Sequence, residues 1–522
     1  MLKRDISTTN ILIIAMSSMV GSGWLFAPFL GTQMAGANVL ISWILAAVFI
    51  TVLALPLCEI ALLLPISGSL STYPSLTHGQ DIGLIFFCIS WLSYVVTAPI
   101  ETLAVLQYSS YFFPILSEQT STTFSLSGWG YLAAFFILMF VTFINTLGIK
   151  LLAECSRYAG LLKFLIPSIA IVSLFYVSDF HYFSGSLGIH LSSLKDWENI
   201  FTALSTGGVI FAFMGFQNSL MLVGEVKRPD RILAIATLSA IALGFVFYFL
   251  LQLAFLEAVP LKYLVQGWSH LKLPDAASPL VGLTLLIGLS FITILILIDS
   301  CICPLGSAVI YTTATSRILY SMALNRYLPA FLLQLNKYKI PSKALIVNFI
   351  VSMLLFFPFP GWQKMAAFLS SIGLLGYSIG PVCFLAMRKL APNQCRPFLV
   401  RMPRLVSYLG FYVCCLMLHW CGLEILWKLC VALIMGISIH ILYKKDWYIL
   451  KKPGTKWFGF YVFSLLIFSY LGPFGGISFF VFPFDLLVLF PVSAVILYFS
   501  QRCLCSIETF ENHLKIIKQN LT

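Results

Sequence analysis

Long apolar blocks alternate with short polar stretches from one end of this chain to the other. Fourteen blocks can be marked, at 10–31, 37–63, 82–113, 129–148, 157–177, 201–223, 232–255, 286–316, 343–358, 364–387, 406–421, 424–443, 457–473 and 482–500. A helical apolar run of about 18 residues or more can cross a hydrocarbon core of about 30 Å. In lipid every peptide N–H and C=O needs a partner inside the protein, so such runs become helices. A membrane β-barrel would show short, strictly alternating segments, and the chain has none. The pattern predicts an all-α integral membrane protein with about 14 transmembrane helices. The longest connections, 179–199, 256–285 and 317–342, are too short for a soluble domain. Residues 279–285 read as a short helix at the outer surface, and the last twenty as a plain amphipathic tail.

Composition agrees: 60% of the 522 residues are hydrophobic and 10% charged, against about 25% charged in soluble domains. The net charge of +12 would fit a polyanionic partner if the bases were clustered. They are sorted instead. Twenty-five of the 31 Lys and Arg fall on the side shared with the N-terminus; Lys195, Lys262, Lys272, Lys364 and Lys428 fall on the other, and Lys163 lies within a span. That asymmetry is the positive-inside pattern, so both termini are expected in the cytoplasm, with the cell (inner) membrane as the host and no nucleic-acid partner. Lys3 and Arg4 before an apolar run resemble a signal peptide. Gly21-Ser22-Gly23-Trp24 interrupts that run without a convincing cleavage site, so it reads as a retained first helix. The thirteen cysteines have no metal-site or disulfide spacing and read as small packing residues.

Two spans are interrupted. Span 1 carries Gly21-Ser22-Gly23 near its middle; span 6 carries Gly207-Gly208 near its start and Phe213-Met214-Gly215-Phe216-Gln217-Asn218 at its centre. Glycine weakens helices, and a break in lipid persists where its freed peptide groups line a cavity. The two breaks sit five spans apart. Interrupted helices at matching positions of two halves point to the binding site of an inverted-repeat transporter. The expected organisation is a cytoplasmic N-terminus (1–9), a first five-helix repeat (10–178), a second (200–388), a basic cytoplasmic loop (389–405), accessory helices 11–14 (406–500) and a cytoplasmic tail (501–522). This is a LeuT-type 5+5 inverted repeat with discontinuous helices 1 and 6.

Several stretches resemble one family. Met19-Val20-Gly21-Ser22-Gly23-Trp24-Leu25-Phe26 is similar to the first-helix signature of the amino acid–polyamine–organocation (APC) permeases. Phe211-Ala212-Phe213-Met214-Gly215-Phe216, with Gly224-Glu225-Val226-Lys227-Arg228-Pro229-Asp230-Arg231 behind it, resembles that family's sixth helix and following loop. Further resemblances follow in order at Cys58-Glu59-Ile60 through Ser69, at Ser316–Tyr320 with Leu328-Pro329, and at Arg396–Pro403, so that about residues 8–443 are covered. Trp24 replaces the family's commoner Ile. The Gly-Ser-Gly-Trp form, with Glu101 and Gln107-Tyr108, most resembles a subgroup that includes aspartate–proton symporters.

The resemblance implies a zwitterionic amino acid as substrate, moved by secondary active transport, with proton-coupled symport as the first reading. An exchanger or polyamine carrier of the same fold, or a non-transporting amino-acid sensor, is the alternative. Free N–H groups at Gly21, Ser22 and Gly23, at the positive end of the next half-helix, suit a carboxylate. Carbonyls freed near Met19 and Val20, and near Phe211, Ala212 and Phe213, suit the α-ammonium, while Gly215 keeps the sixth helix open. Close packing of small residues is the competing reading of such glycines. The resemblance makes Phe211 a gating aromatic, and makes Lys163 the residue that takes a sodium ion's place beside the first helix. A lysine at depth can otherwise snorkel to the surface; a desolvated one can take part in proton exchange. Glu101 and Asp299 are candidate proton or selectivity acids, although an acid there would repel an acidic cargo unless protonated. Glu59 reads as a structural partner for a loop base. No Walker loop, nucleophile elbow or metal cluster is present, so no enzyme activity, ATP, cofactor or metal is expected.

Overall fold

The computed structural model describes residues 8–65, 69–120, 123–147, 149–178, 188–221, 223–226, 230–275, 277–359, 361–512 and 514. The Lys227–Pro229 part of the loop after span 6, residues 66–68 of the stretch after span 2, and residues 1–7 and 515–522 of the two termini lie outside them. A helix, or helices meeting at a break, occupies each of the fourteen apolar blocks. Among the described residues seven helical segments are long and apolar enough to cross a bilayer, and a bent pair makes an eighth. One of the seven, Gly23–Leu63, has 41 residues. As one rod it would measure about 60 Å, twice the hydrocarbon thickness. Gly36, at φ 59° and ψ −141°, divides it into α2 (Gly23–Ala35) and α3 (Val39–Leu63). The chain belongs in the membrane.

The first block is broken. α1 (Thr8–Met19) stops three residues before α2 begins. After α4 (Ser69–His78), helices α5 (Gln80–Val95) and α6 (Thr97–Ser109) run almost end to end. A two-stranded hairpin, β1 (Ser117–Thr120) and β2 (Thr123–Leu126), then leads to α7 (Gly128–Thr146) and α8 (Ile149–Val177). Block six is broken twice, into α9 (Leu194–Thr206), α10 (Val209–Phe213) and α11 (Gln217–Met221). Gly208 at φ 90° and Gly215 at φ 115° take left-handed backbone at these breaks, a conformation glycine adopts without penalty. Next come α12 (Arg231–Ala258), α13 (Pro279–Leu286), α14 (Ser290–Leu324), α15 (Ser342–Leu354), α16 (Trp362–Tyr377) and α17 (Ile379–Leu390). The chain ends in α18 (Pro403–Trp420), α19 (Leu423–Lys444), α20 (Pro453–Leu471) and α21 (Phe484–Ser500). α14 packs on α6 and α8, and α12 on α1 and α3, so the broken helices lie inside a frame of continuous ones.

Three sequence expectations need correction. α9 starts at Leu194 rather than near 201, because Ser193 and Asp196 form a capping box that satisfies the first peptide groups. α14 continues to Leu324, since Leu319, Met322 and Ala323 extend its buried face beyond Arg317. The C-terminal segment is not a plain tail: Cys505 N–H donates to Thr77 O at 2.9 Å, and Phe510 and Leu514 are buried in the main core. The segment at 279–285 is helical as expected, with Pro279 through Thr284 buried. Among the described residues twelve cysteines are unpaired.

Glu59 ties the ends of α3 and α17 together. Its carboxylate meets Arg388 Nη2 at 2.7 Å and Arg396 Nε at 3.1 Å, and accepts from Val400 N–H at 2.7 Å. Arg396 also donates to the carbonyls of Ala391, Pro392 and Gln394 around the end of α17. Removing one member of such a buried group leaves its partners uncompensated. Glu59→Gln and Arg396→Leu should each lower the melting temperature in detergent by a few degrees, and the double variant by less than the two combined. Additive effects would show that the groups act independently.

Candidate functional site

The break between α1 and α2 presents three peptide groups and one hydroxyl that four other helices capture. Ser22 N–H donates to Glu101 of α6, 3.1 Å to Oε2 and 3.4 Å to Oε1. Ser22 Oγ accepts from Trp362 Nε1 of α16 at 2.8 Å. Tyr248 of α12 donates to Met19 O at 2.9 Å, and Cys303 Sγ of α14 lies 3.6 Å from Val20 O. Glu101 is 2% exposed. A Cβ on Gly21 would stand 2.7 Å from its Oε1, so glycine is what lets the carboxylate lie over the break.

The breaks press on each other. A Cβ on Gly215 would stand 2.4 Å from Ser18 O, and one on Gly23 3.1 Å from the Phe211 ring. Phe211 sits edge-on to Trp362 at 5.2 Å, and Trp362 stacks on Phe26 at 4.6 Å, so an aromatic layer covers this junction. Below it lies a cavity of ≈ 30 Å³, lined by Ser18, Met19, Gly21, Ser93, Thr97, Glu101, Phe211, Met214, Gln217, Ser307, Tyr311 and Leu369. It has room for a few waters. A larger cleft of ≈ 530 Å³ is lined by Lys195, Glu198, Thr202 and Thr206, by Gln363 and Lys364, and by the 420–425 and 473–475 turns. That cleft is broad, and its Lys195–Glu198 contact is a side-chain pair within one helix. The small cavity is the candidate site, because broken backbone, an acid and hydroxyls converge there.

Lys163 of α8 is 1% exposed and does not snorkel. Its Nζ donates to Ser307 Oγ at 2.7 Å and to Ser17 O at 3.4 Å, joining α8, α14 and the last turn of α1. Ser307 Oγ also lies 3.5 Å from the position a Gly21 Cβ would take. An acid and a base thus flank the same unwound residues.

Of the residues singled out from sequence, Met19, Gly21, Glu101 and Phe211 line the cavity, and Lys163 reaches it through Ser307. Val20, Ser22, Gly23, Ala212, Phe213 and Gly215 are buried in the breaks without lining it. The Met19 and Val20 carbonyls already face protein donors, and Phe211 O accepts from Met214 N–H at 3.0 Å. Asp299 is brought elsewhere: it is fully buried on α14 near the Trp24 indole, and neither carboxylate oxygen has a hydrogen-bond partner. Gln217, part of the sixth block's central break, also lines the cavity; Ser307, Trp362 and Tyr248 complete the site and escaped sequence reading, since isolated polar or aromatic residues in apolar spans carry no local signal. Among the described residues no group of His, Cys, Asp and Glu could hold a metal ion.

Gly215→Ala should abolish activity while leaving the folded protein extractable, because its Cβ would be driven into the Ser18 carbonyl at a positive φ. Full activity in that variant would show that the α1 and α11 backbones need not touch.

The family model for amino acid permeases matches residues 6–497. The glutamate/serine transporter AimA of Bacillus subtilis (strain 168) is 30% identical over 509 residues, covering 95% of this chain and 93% of that protein. The aspartate-proton symporter of the same organism is 29% identical over 509 residues, 96% of each chain. Its gamma-aminobutyric acid permease is 24% identical over 405 residues, 74% of this chain and 80% of that one. A match running through both broken helices and into the last one places this chain in the amino acid permease family.

Proposed function

We propose that this permease is a secondary active transporter that carries a small amino acid together with a proton by alternating access. Its frame is read as the LeuT-type 5+5 repeat over 10–178 and 200–388, with fourteen crossings, both termini in the cytoplasm and the cell membrane as host. The breaks in the first and sixth blocks, five blocks apart and in contact, support that reading.

The observation that carries it is the Glu101 carboxylate on the Ser22 N–H. This is the peptide group at which a cargo's α-carboxylate would be stabilised, at the start of α2. Two carboxylates cannot share that donor in a dry site without strong repulsion. Cargo therefore binds when Glu101 takes up a proton and gives up the N–H. One proton then enters the site with each amino acid, and the tension between a buried acid and an acidic cargo disappears. Aspartate and the pair glutamate and serine, the cargoes in the two relatives' names, are the range proposed here. Lys163 holds the end of α1 against α14 and keeps a positive charge beside the break. Phe211 and Trp362 form the gate above it.

A second reading, exchange without an ion gradient, is favoured by one observation: Lys163 is bound on two sides, as a fixed cation would be. Uptake of labelled serine, aspartate and glutamate into proteoliposomes, with pH and sodium gradients imposed separately, decides between them. The expected result is accumulation driven by an inside-alkaline gradient, absent with sodium alone and rising as the outside pH falls. Accumulation driven by neither gradient, with counterflow intact, would establish the exchanger. Glu101→Gln should abolish gradient-driven accumulation, at least tenfold, while sparing counterflow; full concentrative uptake would contradict the proton role. Lys163→Ala should impair accumulation as well, and full retention would remove lysine from coupling.

A further inference from the structure

Gln217, the first residue of α11, lines the central cavity and is 5% exposed. The orientation of its amide is fixed by its neighbours. Gly215 N–H, which can only donate, reaches Gln217 Oε1 at 2.9 Å, and Tyr377 O–H reaches the same atom at 2.6 Å. The oxygen therefore faces the break and the NH₂ group faces away from it. Gln217 Nε2 faces the Tyr94 hydroxyl, which accepts one of its two N–H bonds, and it is not among the buried polar atoms sealed without a partner. Tyr94 itself donates toward Asn218 Oδ1 and Met221 Sδ. The amide thus keeps one N–H bond for the cavity.

The neighbouring groups are donors too. Tyr311 Oη accepts from Asn218 Nδ2 at 3.2 Å, which leaves its own proton free. Ser93 lines the cavity, and among the described residues its hydroxyl makes no hydrogen bond. Glu101, the cavity's acid, is turned to the Gly21 break.

We infer that Gln217, with Ser93 and Tyr311, reads the cargo's side chain and selects one that carries an acceptor oxygen, a hydroxyl, amide or carboxylate, over aliphatic and cationic ones. This rests on the proposed binding of the cargo's α-groups at the Gly21 break. With those groups held there, the side chain points into the donor-lined part of the same cavity. An oxygen satisfies the remaining amide N–H bond. A leucine side chain would cover it and leave it unpaired, and a lysine ammonium would set donor against donor. Sites built to hydrogen-bond a cargo group reject analogues lacking it by far more than apolar pockets reject a missing methylene.

The test is uptake of labelled serine, glutamate, leucine and lysine into proteoliposomes holding the full chain. The wild type should take up serine or glutamate at least tenfold faster than leucine or lysine. Gln217→Glu keeps an oxygen for Gly215 and Tyr377 but turns a second oxygen, not an amide, toward the cavity. Glutamate uptake should then fall at least tenfold relative to serine, whose hydroxyl can donate to the new acceptor. Retained serine uptake shows that the variant folds. If it does not fold, Gln217→Met keeps the length and removes both donors, and serine and glutamate should each fall at least tenfold against alanine. An unchanged ratio in the folded variant, or a wild type that prefers leucine or lysine, overturns the role of Gln217 and leaves transport standing. A wild type that takes up none of the four overturns the transport reading and this inference together.

Discussion

A peptide group that leaves a helix inside a bilayer has no water to turn to, and the protein must supply its partner. Here the N–H of Ser22 is held by a carboxylate from a neighbouring helix, Glu101, across a gap that only glycine at position 21 leaves open. Everything else around the site serves that contact. Trp362, Tyr248 and Cys303 engage the remaining groups of the same break, from three further helices. A site assembled from so many elements responds to any of them moving, as the proposed alternating access requires. The same groups hold the break rigid in the state described, where the cavity has room for water and not for an amino acid.

The two interrupted helices also constrain each other. Gly215 lies against the Ser18 carbonyl and Gly23 against Phe211, so the α11 and α1 backbones approach more closely than side chains would permit. Close approach of this kind is also how membrane helices pack without any cargo. The difference is the polar traffic: an acid, a base and a tryptophan are spent on the unwound stretch, and a packing site has no need of them. Lys163 shows the point best. A buried ammonium costs several kcal/mol to desolvate. Its bonds to Ser307 Oγ and Ser17 O place it beside the first break.

Much of this was legible in the residues. Block lengths located the helices, because bilayer thickness and the lack of water at depth leave the chain few choices. Gly21-Ser22-Gly23 and Gly207-Gly208 marked the breaks, since glycine at depth has a local physical meaning. Glu101 and Lys163 stood out because charge is rare in such spans. The partners did not stand out. Trp362 is one of eleven tryptophans, and Ser307 is one hydroxyl in a long apolar helix; only tertiary geometry brings them to Ser22 and Lys163. Asp299 has the same sequence signature as Glu101 yet lies away from the cavity, because depth along a helix does not say which face is turned inward. The early start of α9 was readable at Ser193 and Asp196, a capping signal masked by the polar stretch before it.

The central claim is that the cargo's carboxylate and Glu101 compete for one peptide N–H. A cryo-electron-microscopy structure in nanodiscs, at saturating serine and low pH, addresses it directly. The account predicts the ligand carboxylate within about 3 Å of the Ser22 and Gly23 amides, with the Glu101 carboxyl swung off the break. Density for an amino acid elsewhere, with Glu101 still bonded to Ser22, would contradict it.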